Sequence, residues 1–152
     1  LAVNTVSMLK DCILVSVGAG SINNVEQKMI EQKLDNRFFH FLGISSEELN
    51  MLYNLSYCLL YPSSYEGFGI PVIEAMASGC FIVFSKDSTQ DIITNEREGL
   101  IVDSFGEKSA KKILEILNDE KKLKKIKESA KKKIKEFDLN SWGNKYFKVL
   151  LE

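Results

Sequence analysis

Two carboxylates eight positions apart, Glu66 and Glu74, bracket Gly67, Phe68, Gly69, Ile70 and Pro71 in the run SSYEGFGIPVIEAMASG at 63–79. Proline is a favoured first residue of a helix, so the amides of Gly67, Phe68, Gly69 and Ile70 are expected around a helix N-terminus. Two glycines allow the backbone to approach a ligand closely and to adopt positive φ. The helix end adds roughly half a positive charge and unsatisfied N–H donors, which is a phosphate site in outline. Glu74 has two readings. A carboxylate in the first helical turn stabilises the dipole, and the same carboxylate can accept from two adjacent hydroxyls, as on a ribose. Glu66 is harder to explain structurally, because a phosphate bound at the helix end repels it unless it faces the hydroxyl-bearing part of the ligand. Together the residues suggest a sugar nucleotide: diphosphate on the amides, ribose on Glu74, sugar hydroxyls near Glu66. A tight turn with no ligand is the plainer alternative.

The elements that would hold this loop can be read on either side of it. Short apolar runs at 12–17 (CILVSV), 38–42 (FFHFL), 57–61 (YCLLY), 80–85 (CFIVFS) and 99–103 (GLIVD) read as strands. Helical patterns separate the first four. Residues 25–34 place Val25, Met29 and Ile30 on one face with Leu34 close by. Ser45 and Glu48 have capping-box spacing. A helix is predicted from Pro71 to Ser78, with Gly79 as its stop. Strands that are apolar throughout suit a sheet covered on both faces, and intervening helices suit parallel connections. The expected fold is therefore α/β, a Rossmann-like open parallel sheet with helices on both faces. Segment 107–152 reads as all-helical. Leu114, Leu117, Leu123, Ile126, Ala130 and Ile134 supply its inner positions, and a last helix capped by Asp138 carries a stripe of Trp142, Tyr146, Phe147 and Leu150.

Composition narrows the function. The 152 residues are 45% hydrophobic and 27% charged, enough for one domain with its own core. A formal net charge of −1 argues against a nucleic-acid partner. The charge is uneven, however: twelve lysines against five acids between Lys108 and Glu136 give that segment +7 and leave −8 elsewhere. This reads as a solvated helical face or as a basic surface for an anionic membrane. Cys12, Cys58 and Cys80 are odd in number, widely spaced and set in apolar runs, so they read as reduced core thiols of a cytosolic protein. Without a Cys-x-x-Cys or Cys/His cluster, no metal site is expected. His40, the single histidine, reads as a core or strand-edge residue. No apolar run reaches the ~20 residues of a membrane span, and nothing resembles a signal peptide. The start at Leu1, already in helix-like sequence, reads as a piece of a longer protein.

In an open parallel sheet, ligands bind beyond the carboxyl ends of the strands. Three strand-end loops therefore compete: Gly18-Ala19-Gly20, Gly43-Ile44-Ser45 and 62–70. A dinucleotide glycine pattern would need glycine at position 23, where Asn23 stands. The run YPSSYEGFGIPVIEAMASGCFIVFS (61–85) resembles the signature of retaining glycosyltransferase family 4, the group 1 glycosyl transferases. It matches E-G-F-G-(L/I)-P-x-x-E-A-M-A-x-G at Glu66, Gly67, Phe68, Gly69, Ile70, Pro71, Glu74, Ala75, Met76, Ala77 and Gly79. The VGAG turn, FHFLG before a capped helix, and GLIVD follow the family's order.

The resemblance implies the GT-B arrangement of two Rossmann-like domains, with this chain as most of the C-terminal, nucleotide-sugar-binding half. It implies contact of Glu66 with the donor sugar and a part for it in catalysis. It further implies that Gly67, Phe68, Gly69 and Ile70 serve sugar and diphosphate, that Glu74 binds the ribose, and that Gly43 and Ile44 lie near the base. The implied reaction transfers a hexose from a UDP- or GDP-sugar, with retention and without metal or other cofactor. Its acceptor would be a glycan or lipid-linked molecule in cell-surface polysaccharide or glycolipid synthesis. The implied location is the cytoplasm, peripheral at the inner face of the membrane. The sequence departs from the pattern in two places. The family's arginine and lysine on the diphosphate have no counterpart here, so the first strand of this half and the acceptor-binding N-terminal domain are expected upstream. In SKDSTQD (85–91), the usual paired glycines are absent and Asp91 replaces a common glutamate. A non-catalytic nucleotide-sugar-binding module is the alternative, and a nicotinamide dehydrogenase ranks third.

Overall fold

The computed structural model describes residues 1–18, 20–63, 69–88 and 96–135. In chain order the elements are α1 (Ala2–Val6), β1 (Leu14–Gly18), α2 (Asn24–Leu34), β2 (Phe38–Leu42), α3 (Ser46–Leu55) and β3 (Cys58–Tyr61). They continue with α4 (Ile70–Ser78), β4 (Phe81–Ser85), β5 (Leu100–Val102), α5 (Glu107–Leu117) and α6 (Glu120–Ile134). Every strand pair is parallel. Leu14 to Gly18 of β1 run beside Phe38 to Leu42 of β2, Cys58 to Tyr61 beside Phe81 to Phe84, and Val83 to Ser85 beside Leu100 to Val102.

The expected single sheet is divided in two. Among the described residues, β1 bonds only to β2, while β3, β4 and β5 form a second sheet in that order. Backbone ladders stop between β1 and β3, but side chains cross the interval: Leu60 of β3 packs both with the α1–α2 cluster and with the cluster under α5.

Strand β4 is the buried spine. All five of its residues are buried, and alternation sends them to opposite faces. Phe81 and Val83 meet Leu100, Val102, Phe105, Ala110, Ile113, Ile116 and Ile126 on one side. Ile82 and Phe84 meet Val72, Ala75 and Met76 of α4, Tyr53 of α3 and Ala130 of α6 on the other. Helices thus cover both faces of this sheet, as expected. Burying side chains of this size completely contributes roughly 1.5–3 kcal/mol each.

The smaller sheet differs. Val17, Phe39, Phe41 and Leu42 are exposed, so its continuous apolar runs do not lie between two layers among the described residues. Helix phase also corrects the sequence reading. Val25 and Met29 are exposed, and Ile30 and Leu34 alone carry the inner face of α2. On α5, Leu114 is exposed while Ile113 and Ile116 are buried. The helical reading of 107–152 holds through α5 and α6, whereas Asp138, Trp142, Tyr146, Phe147 and Leu150 lie outside the described residues.

Local chemistry sets the helix starts. Asn23 caps α2 by accepting from the amides of Val25 and Glu26, and Glu26 reaches back to the Asn23 amide. Ser45 and Glu48 form the predicted reciprocal box at α3, with bonds of 2.7 and 3.2 Å. Two long-range polar contacts tie the elements together. The Thr5 hydroxyl meets Ser109 Oγ at 2.9 Å in the core. Nη1 of Arg37 donates to the carbonyls of Val6, Leu9 and Cys12 at 3.3, 2.7 and 2.8 Å, holding the segment between α1 and β1.

All three cysteines are free, Cys80 buried and the other two half-buried. Burial pushes the Cys58 thiol up to about 12 and also raises Cys80, so neither is a thiolate near neutrality.

Candidate functional site

The parallel strands bring the three strand-end loops to one end of their sheets. Behind β1, His40 Nε2 lies 2.9 Å from the Gly20 carbonyl, tying the glycine turn to the neighbouring strand. His40 is half-buried on β2, in keeping with the strand-edge reading, and its ring stacks near Phe38. Behind β2, Gly43 has φ +61 with open space where a Cβ would stand, and half-buried Ile44 follows it.

The third loop leads into α4. Gly69 is its N-cap in the left-handed region, φ 69 and ψ 43, and its carbonyl accepts from Val72 and Ile73 at 2.9 and 3.3 Å. A side chain at this φ would be strained, which gives the second glycine of the run a backbone reason. The helix opens one residue earlier than expected, at Ile70, so Pro71 is its second residue. The first turn consequently holds no acid, and Glu74 stands fifth in the helix. Dipole stabilisation, which fades beyond the first turn, therefore explains Glu74 less well than the sequence suggested.

Glu74 is exposed, and its Oε2 accepts the Tyr53 hydroxyl of α3 at 3.2 Å. One turn later, Ser78 Oγ contacts Asn50 Oδ1 of α3 and the Glu74 carbonyl, both at 3.0 Å. Burial foremost, then the Glu74 charge, raises Tyr53 well above the ordinary tyrosine range, so the phenol remains a donor. Tyr53 was not among the sequence candidates. A tyrosine on the inner face of a helix looks like core, and its partner lies 21 positions away.

Another unanticipated group is Lys86, next after β4. Its amide donates to the Val102 carbonyl at 2.9 Å and its Nζ pairs with Asp103 at 3.3 Å, both side chains exposed.

The structure thus places Gly43, Ile44, Gly69, Ile70 and Glu74 at carboxyl-end loops or on the helix that leaves one. Glu66, Gly67 and Phe68, with Ala19 and Asp91, lie outside the described residues. Among the described residues, no group of three His, Cys, Asp or Glu side chains is arranged to hold a metal, and no helix is long and apolar enough to cross a membrane.

Parallel α/β layers, which over 97% of the chain superpose on a glycosyltransferase of Rickettsia africae at a TM-score of 0.76 and 24% identity, define the class: a Rossmann-like half of a GT-B fold. Residues 2–133 match the family pattern "Glycosyl transferases group 1", and the chain belongs to that family. It is 37% identical over 73 residues to an O-antigen chain mannosyltransferase of Salmonella typhimurium, a match covering 47% of this chain and 21% of the relative. It is 30% identical over 145 residues to the N,N'-diacetylbacillosaminyl-diphospho-undecaprenol alpha-1,3-N-acetylgalactosaminyltransferase of Campylobacter jejuni, covering 94% of this chain and 38% of that protein. Among solved structures, the C-terminal domain of a group 1 glycosyl transferase from Francisella tularensis superposes with a TM-score of 0.71 at 26% identity. That match covers 88% of this chain and 74% of the other. The chain spans 38% or less of the length of the curated relatives it matches.

Proposed function

We propose that the chain is the donor-binding part of a retaining glycosyltransferase, which moves a hexose from a UDP- or GDP-sugar to a glycan or lipid-linked acceptor. The observation that carries this reading is the exposed carboxylate of Glu74, one turn into a helix capped by left-handed Gly69. In the reaction, the bond between the sugar's anomeric carbon and the diphosphate oxygen breaks. The acceptor hydroxyl oxygen bonds to that carbon on the same face and gives its proton to the departing diphosphate oxygen. Amides at the start of α4 offset charge developing on the leaving diphosphate, and Glu74 holds the ribose. Glu66 faces the donor sugar, and Gly43 and Ile44 lie near the base. The chemistry uses no metal, and the process served is synthesis of cell-surface polysaccharide or glycolipid. The names of the Salmonella and Campylobacter relatives support that choice of product and acceptor.

The interval between β1 and β3 is the natural place for a further parallel strand. A right-handed crossover through α1 into β1 would bring a preceding strand there. We assign that strand, the cationic pair for the diphosphate and the acceptor-binding domain to sequence outside the 152 residues. The exposed lysines of α6 suit a peripheral position at the inner, anionic face of a cell membrane.

The test is sugar transfer by a longer protein that carries this chain. Glu66→Gln is expected to lower turnover about a hundredfold or more, in the range of losing a group that meets transition-state charge. The 152 residues alone are expected to transfer nothing. Unchanged turnover in Glu66→Gln removes that residue from the mechanism. Nucleotide-sugar binding with no turnover by the longer protein would favour a binding module instead.

A further inference from the structure

The contact between α3 and α4 bears directly on how the candidate ribose acceptor is held. A free glutamate on a helix surface samples several rotamers and spreads its lone pairs over a wide cone. Recognition of two adjacent hydroxyls needs the carboxylate fixed in both position and plane. Glu74 meets the first half of that requirement by its place on α4. The second half needs a partner that fixes one oxygen and leaves the other exposed.

Tyr53 has the features of such a partner. Its ring is buried among Val72, Ala75 and Met76, the inner residues of the helix that carries Glu74. Such packing leaves the phenol little freedom. Its hydroxyl emerges from this cluster to donate to Glu74 Oε2 at 3.2 Å. Glu74 Oε1 has no hydrogen bond among the described residues. The raised Tyr53 titration keeps the proton on the phenol across the physiological range, so the direction of the bond is set. A second polar link between the same helices, Ser78 Oγ to Asn50 Oδ1 at 3.0 Å, holds α3 against α4 one turn further on.

We propose that Tyr53 is the positioning residue of the nucleotide site: its hydroxyl anchors Glu74 Oε2 and turns Oε1 toward the ribose 2′- and 3′-hydroxyls. The proposal rests on the ribose reading of Glu74. It assigns ribose recognition to two helices rather than to the signature loop alone. Tyr53 touches no substrate and acts only through the carboxylate.

The experiment is calorimetric titration of a longer protein that carries this chain with uridine and guanosine diphosphates and with their 2′-deoxy counterparts. For whichever base binds, Tyr53→Phe is expected to weaken the ribonucleotide about three- to tenfold, the range of one ordinary hydrogen bond. The deoxynucleotide, which lacks one of the two hydroxyls, is expected to lose less. Glu74→Ala is expected to weaken the ribonucleotide at least as much, and adding Tyr53→Phe to it to cost nothing further. Wild-type ribonucleotide affinity in Tyr53→Phe, with Glu74→Ala impaired, overturns the proposal and leaves the ribose reading standing. Equal losses for ribo- and deoxynucleotide in Tyr53→Phe also overturn it, since that pattern marks a general packing defect. Wild-type affinity in Glu74→Ala, or no binding of either diphosphate, overturns the ribose reading and the proposal with it.

Discussion

Glycine and glutamate carry most of the information at the scale of single residues, and they differ in how openly they show it. Gly79 was legible as a helix stop, and the backbone gives the reason. At φ +77 it lets the Gly79 amide reach the Met76 carbonyl at 3.0 Å and the Cys80 amide reach Ala75 at 2.9 Å, a Schellman pair. A Cβ there would stand 2.8 Å from the Cε of Lys131, a flexible side chain able to swing away. The main cost of Gly79→Ala is therefore backbone strain, and the expected destabilisation is about 1–2 kcal/mol in urea denaturation. A loss below about half a kcal/mol would contradict the left-handed assignment. Glu74 stood out through the residues around it, whereas the hydrogen bond it accepts from Tyr53 left no trace in the sequence. Sequence patterns report which face of a helix is apolar, and say nothing about where a buried ring's polar tip comes out.

Elements were read well where a strand or cap has a local cause. FFHFL became β2 with the same bounds, and the Ser45–Glu48 box formed as spaced. Phase failed where two phases were equally apolar. In KKILEIL, a stripe through Ile113 and Ile116 competes with one through Leu114 and Leu117, and packing on Phe81 and Val83 selects the first. Arg37 shows a further kind of blindness. Nothing in the sequence marks its role, yet it clamps three carbonyls left by α1 and the turn after it. All three bonds come from one guanidinium nitrogen held in place by its rigid plane, whereas a lysine ammonium is a point charge on a flexible stem with a different reach. Arg37→Lys is expected to lower stability by about 1–3 kcal/mol, the range for losing hydrogen bonds to a charged group. Urea unfolding monitored by circular dichroism would measure this, and an unchanged midpoint would show that the carbonyls are equally well served by water.

For the whole molecule, the sequence announced layers and parallel strands, and these were found. It could not announce the division of the sheet, because each strand's composition is the same whether or not a neighbour lies beside it. The exposed Phe39 and Phe41 likewise follow from what covers the sheet rather than from the strand itself. The charge asymmetry was legible in full and has a spatial form. Lys121, Lys122, Lys124, Lys125, Lys131 and Lys132 are exposed along α6, while Ile126 and Ala130 hold the helix to the core. If this face meets anionic lipid, at roughly 1 kcal/mol per lysine near the surface, the chain will sediment with phosphatidylserine vesicles and release as salt rises. Equal recovery with neutral vesicles would sink the membrane assignment.

The bond between Thr5 and Ser109 joins residues 104 positions apart in the core. Ser109 Oγ also donates to the Gly106 carbonyl and accepts from the Gly106 amide, both at 2.8 Å, so it is the Thr5 hydroxyl that donates. On a ribosome adding about 5–20 residues per second, α1 emerges several seconds before the helix that buries it. Through that interval Val3 and Val6 have α2 and the first strands to pack against, but Thr5 lacks its partner Ser109. The start of the domain is thus among the last parts to settle, and nascent chains halted before α5 should leave α1 open to protease or to chaperone.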